Sequence, residues 1–201
     1  MERWAARGHK QPKRLLLRSG RSTVLPDQNI SPSARSRQYM IALPAASSRV
    51  LQYFMDESAL DLEGVALSPQ KETVRVFYKE LWDHADKSLI PRIFHDGFTF
   101  RGSLGPALVG HAQFAGYVDW VTGAFGQYTT DILAMIEEDN RVSGKMRFHG
   151  FHRKELFGVP PSGRHVWWTG MPIFTFAGAK VRDLFVLGDI HGLIGRLKGE
   201  A

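Results

Sequence analysis

The 201-residue chain contains no cysteine. That absence removes any disulfide framework, thiolate nucleophile or thiolate zinc site, and it fits a reducing compartment, so a cytoplasmic location is expected. No apolar run approaches the roughly 18 to 20 residues that cross a bilayer as a helix, and no membrane partner is expected. Acids are scarce at one end. Residues 1–54 hold only Glu2 and Asp27 against ten Lys or Arg, a balance of +8, while the remainder of the chain sums to −2. The net charge of +6 therefore belongs to the leader. Nucleic-acid-binding folds carry their basic stripe on folded elements, so nucleic acid is not an expected partner either.

What is present suits one domain: 43% hydrophobic residues in a chain of this length supply a core of ordinary size. Residues 1–67 read as a basic, disordered leader without sustained periodicity. Its Arg- and Ser-rich opening resembles an organelle transit peptide. It would equally arise from translation upstream of a true start at Met40 or Met55. The folded domain is expected over residues 68–201.

Ser68-Pro69 is a helix-start signal, an N-cap followed by a proline whose missing N–H costs nothing in the first turn. Val74, Phe77, Tyr78, Leu81 and Trp82 then recur at spacings of three and four, which predicts a helix to about His84. A short helix or turn at LIPRIF precedes a strand at GFTFRG. GPALVGHAQFAGYVDWVTGAF predicts a second long helix with Phe114, Tyr117, Val118, Val121 and Phe125 on its apolar stripe. From Tyr128 the pattern becomes that of strands: TTDILAMIEED, RVSGKMRFHGFH, HVWWTGMPIFTF and KVRDLFVLG. Turn signals at Asp139-Asn140, Pro160-Pro161-Ser162-Gly163 and Ala177-Gly178-Ala179 separate them. IHGLIGRL closes with a short helix. Helices followed by an antiparallel meander describe an α+β domain with helices packed on one face of a curved sheet.

Several segments together resemble the SnoaL-like polyketide cyclase or ester cyclase group of the nuclear transport factor 2-like superfamily. They are FRGSLGP, the helix end at Ala124-Phe125, GFHRKELFGVPPSGR, IFTFAGAKVRDLFVLGD and GLIGRL, and the likeness runs from about residue 69 to 199. Its best signature, G-x-H-x-x-x-x-x-G-x-P-P-[ST]-G-R, is matched by Gly150, His152, Gly158, Pro160, Pro161, Ser162, Gly163 and Arg164. The resemblance implies a cone-shaped α+β barrel with a curved antiparallel sheet, packed N-terminal helices and an internal pocket. It also implies a homodimer through the outer sheet face. Members of known chemistry close polyketide rings by intramolecular aldol reaction, without a cofactor. Fold alone does not decide activity, so three readings stand. One is a cofactor-independent cyclase, isomerase or lyase acting on a small apolar carbonyl or ester compound. The others are a non-catalytic small-molecule-binding or interaction module, and a related ring hydroxylase.

An aldol cyclase needs a base in an apolar cavity. In the polyketide cyclases it is an Asp on the last strand. Ungapped placement between Ala179-Lys180 and Asp189 to Gly192 puts that position on Val186, which cannot transfer a proton. Asp189 matches a second family Asp and is a substitute base or a cap of the last helix. His152 is a candidate pocket acid or base, or a strand histidine satisfied by the backbone. Arg101 could grip a carboxylate or ester. Phe100, Tyr117, Trp120, Trp168 and Val186 are expected beside the ligand, and Phe174 in core or pocket. His149 and His152 lie three apart on a strand and should face opposite sides, so no metal site is expected. Leu184 and Val186 fall on one face of the last strand and Phe185 and Leu187 on the other; such a strand fits a pocket inside and a second copy outside.

Overall fold

The computed structural model describes residues 58–200. Residues 1–57 of the expected leader, with both candidate starts, lie outside the described residues. Residues 58–67 run without helix or strand apart from a turn at Glu63-Gly64. The Leu60 N–H donates to the Ile132 carbonyl at 2.8 Å, which ties this segment to the sheet.

Helix α1, Pro69–Val76, starts as its sequence asks: the Ser68 hydroxyl accepts the Lys71 N–H at 3.1 Å, and Glu72 sits in the first turn. It continues as one π-helical stretch, Phe77–Trp82, whose wider turn brings Phe77, Tyr78, Leu81 and Trp82 all into the core. Two short helical turns, Lys87–Leu89 and α2 (Ile90–Ile93), lead into β1, Phe94–Arg101. A short β2, Ala107–Val109, precedes α3, Gly110–Ala124. The strands β3 (Phe125–Glu138), β4 (Arg141–His152), β5 (His165–Ala177) and β6 (Lys180–Gly188) follow, and α4, Ile190–Lys198, ends on Gly199 at φ 80°.

Six strands make one sheet in the order β2-β1-β6-β5-β4-β3. β3 to β6 form the expected antiparallel meander, whereas β1 pairs with β6 in parallel, through Phe100↔Leu184 and Arg101↔Phe185. The long helix is shorter than its pattern suggests. Ala107 to Val109 pair with β1 as an edge strand, and Phe125 begins β3. Strict alternation along β4 and β5 turns Val142, Met146, Phe148, His152, Val166, Trp168, Phe174 and Phe176 inward. Gly170 is required on this inner face, since a Cβ there would lie 2.7 Å from the Phe148 ring. The inward rows meet α1, the π-helical stretch and α3 in a single aromatic-rich core. Phe77 alone stands within 5.3 to 6.2 Å of the rings of Trp82, Phe94, Phe114 and Phe174. Each such pair adds about 0.5–1.5 kcal/mol beyond simple area burial. The result is an α+β fold with a curved six-stranded sheet and helices packed on one side.

The outer face of the sheet is apolar in the middle. Ile136, Met171, Ile173, Phe185 and Leu187 are exposed there, Ile136 by 70% and Leu187 by 67%. The pairings Ile173↔Phe185 and Met171↔Leu187 make the patch continuous across β5 and β6, and Ser143 of β4 stands between Ile173 and Ile136 of β3. No helix among the described residues is long and apolar enough to cross a membrane.

Candidate functional site

Inside the cone the helices and the sheet do not quite meet. The π-helical stretch brings Phe77, Tyr78 and Trp82 to this gap, and α3 brings Tyr117 and Val121. The strands bring Phe100, Tyr128, Phe148, Trp168 and Val186, and the segment after β1 brings Gly102, Ser103 and Leu104. The free space is about 30 Å³, room for about two water molecules. Among the described residues, no carboxylate, imidazole, ammonium or guanidinium lines it.

Three phenols are the chemistry this cavity offers. Tyr78 is 2% exposed, and its hydroxyl is buried with no hydrogen-bond partner among the described residues. An unsatisfied buried hydroxyl costs about 1–3 kcal/mol, so the fold bears a penalty that a bound acceptor would relieve. The Tyr117 hydroxyl lies against the backbone at Gly102 and has a proton to give. Burial pushes the acidity constants of Tyr78, Tyr117 and Tyr128 upward, and for Tyr128 the neighbouring Tyr117, Tyr78 and Asp83 push further in the same direction. All three phenols are neutral donors at physiological pH. The Trp168 indole N–H, also in the wall, donates to the Ser103 hydroxyl at 3.4 Å.

Of the residues expected beside a ligand, Phe100, Tyr117, Trp168 and Val186 line this space. Phe174 is fully buried in the core and is not part of the cavity wall. Trp120 is 41% exposed and leans on the Tyr117 ring from outside, 5.6 Å between centroids. Arg101 is exposed and donates to the Gly102 carbonyl at 2.8 Å. Asp189 caps α4, its Oδ1 accepting the Gly192 N–H at 2.9 Å and its Oδ2 lying 3.6 Å from Arg196. His152 faces inward and is fully buried, yet it stands outside the cavity wall and engages Ser162 of the β4–β5 loop. His149, as strand alternation requires, is on the opposite face, between His165 and Asp131. The structure thus gathers four of the eight candidates and leaves Arg101, Trp120, His152 and Asp189 outside. Sequence reading missed Tyr78 and Tyr128. Tyr78 stood in plain view on the first helix's apolar stripe, where its hydroxyl was the one signal separating it from Phe77 and Leu81.

Solved structures share this architecture. A protein of Jannaschia sp. CCS1 assigned to the SnoaL-like polyketide cyclases is 21% identical, with a TM-score of 0.60 over 68% of this chain and 99% of its own. A SnoaL-like polyketide cyclase from Agrobacterium tumefaciens C58 is 14% identical, with a TM-score of 0.56 over 66% of this chain and all of its own. AclR of Streptomyces galilaeus, proposed to be a hydroxylase, is 19% identical with a TM-score of 0.57 over 66% of this chain and 83% of its own. At these identities the likeness is one of fold. No curated protein matches significantly. The sequence model of the SnoaL-like polyketide cyclases matches residues 72–193, from within the first helix through every strand to the start of the last helix, and the chain belongs to that family.

Proposed function

We propose that this protein binds a small, mostly apolar molecule bearing a carbonyl or ester oxygen inside the cone, with the Tyr78 hydroxyl as the principal donor to that oxygen. The buried, unpartnered Tyr78 hydroxyl in an aromatic wall is the observation that carries the reading. A site built to hydrogen-bond one polar atom discriminates strongly against an analogue lacking it, because the donor is otherwise left unpaired. Val186 occupies the wall where the family resemblance expects a basic Asp, and neutral phenols do not abstract a proton at neutral pH. Binding, or catalysis by polarising a carbonyl, therefore fits these residues better than enolisation by a carboxylate. The apolar outer face supports a second part of the proposal, that two copies associate through β5 and β6.

The test compares acetophenone with ethylbenzene, which has the same shape without the oxygen, by titration followed through tryptophan fluorescence. The proposal expects acetophenone to bind at least tenfold more tightly, and Tyr78→Phe to abolish that preference while ethylbenzene binding is kept. Equal binding of the two compounds, or of neither, would overturn it.

A further inference from the structure

A free volume of about 30 Å³ cannot take such a molecule, since small-molecule sites are typically about 300–1,000 Å³. Part of the wall must therefore move. Strands and helices are held by their ladders and turns, but Gly102 to Pro106 are not. The β1–β2 ladder ends at Arg101↔Ala107, and among the described residues no loop hydrogen bond between backbone groups involves this segment.

The Arg101 guanidinium holds the Gly102 carbonyl at 2.8 Å, and the segment's remaining contacts face the cavity. The Ser103 hydroxyl accepts from the Trp168 indole N–H at 3.4 Å. The Leu104 side chain is buried in the core. Gly102 and Gly105 lie directly on the Tyr117 ring. A Cβ at Gly102 would fall 2.5 Å from the Tyr117 hydroxyl, and one at Gly105 would fall 3.2 Å from the ring. On their other side Ser103 and Gly105 are part-exposed and Pro106 is exposed, so the segment lies between the cavity wall and the surface. A ligand that engages Tyr117 or Trp168 competes for the same contacts that keep the segment closed.

We infer that residues 102–106 form a lid, and that a ligand enters by displacing Leu104 from the cone. The inference rests on the binding function proposed above. The absence of cysteine makes it directly testable. Leu104→Cys places a single thiol on the inner side of the lid, and Leu184→Cys places one at a fully buried position of β6 as a control for general unfolding. Both full-length variants are reacted with dithionitrobenzoate, with and without acetophenone. The lid expects Leu104→Cys to react at least tenfold faster than Leu184→Cys, and severalfold faster again with acetophenone present. Adding Tyr117→Phe, which removes the hydroxyl packed against Gly102, should raise the rate in the free protein. If either cysteine variant fails to fold, hydrogen exchange of the wild-type Leu104 amide replaces the thiol, and the lid expects it to exchange well ahead of the β6 amides. Acetophenone that binds without accelerating the reaction overturns the lid and leaves the binding proposal standing. Fast labelling of Leu104→Cys without acetophenone binding supports the lid and overturns the binding proposal. Equal rates at the two positions under both conditions overturn the lid.

Discussion

Ser162 reaches back ten residues to His152: its backbone N–H donates to Nδ1 at 3.3 Å, and its hydroxyl lies 3.1 Å from the same nitrogen. The backbones close the same loop, His152 N–H to the Arg164 carbonyl and Gly163 N–H to the His152 carbonyl, each at 2.9 Å. An Nδ1 that accepts an amide proton leaves the ring proton on Nε2, which is buried without a partner among the described residues. The histidine of the family signature thus acts on the signature's own proline loop.

That geometry predicts a stability role. His152→Ala removes a fully buried ring and its tie to the Ser162 loop, and should cost about 3 kcal/mol. Ser162→Ala should cost about 1 kcal/mol, and the double variant less than the sum, because the two changes remove one shared interaction. Urea unfolding of the three variants measures this; an unchanged midpoint for His152→Ala would show that the ring fastens nothing.

Tyr78→Phe should behave in the opposite way. The hydroxyl it removes has no partner, so the free protein should be unchanged or stabilised by up to about 1 kcal/mol. A clear loss of stability in thermal unfolding would mean that the hydroxyl already has a structural partner, and with it the chief support for the ligand proposal would go.

Much of this fold was legible in local pattern, and the reason is local physics. Ser68 with Pro69 marks a helix start because the cap and the missing N–H act within one turn. The alternation in β4 and β5 is legible because one face of each strand is dry. The parallel pairing of β1 with β6 was not, since it joins residues more than 80 positions apart and leaves no trace in either strand alone. β2 was hidden for a related reason: three residues between Pro106 and Gly110 are too few to show a period. At the site, the ungapped match to the family's last strand pointed to Val186, while strand parity only put it on the same face as Leu184. Trp120 and Tyr117 lie on one helix only three residues apart, and which of them reaches the cavity depends on the helix's rotation against the sheet.

The outer sheet face predicts self-association that charge can break. Leu187→Lys combined with Ile173→Lys puts two ammonium groups on an apolar patch without touching the core. Sedimentation equilibrium should show the wild type as a dimer at micromolar concentration and the double variant at least tenfold weaker, with near-ultraviolet dichroism unchanged. A wild type that is monomeric at that concentration would remove the second copy from the proposal.

Below neutral pH the same face should loosen at Asp131. Its carboxyl is held down to about 2, first by the hydrogen bond from His149 and then by Arg147, whose Nε and NH2 lie 2.8 and 2.7 Å away, with burial opposing both. A carboxyl whose constant is lower in the folded than in the unfolded chain stabilises the fold fully above the unfolded value, near 4, and loses that contribution as pH falls toward about 2. For a group partly open to solvent the contribution is about 1 kcal/mol once screening is allowed for. Asp131→Asn should therefore be less stable than wild type at pH 7, and the gap should close between pH 4 and pH 2. Thermal unfolding at pH 7, 4, 3 and 2 reads the difference directly, and a gap that stays constant across that range would show that the Asp131 charge contributes nothing to the folded state.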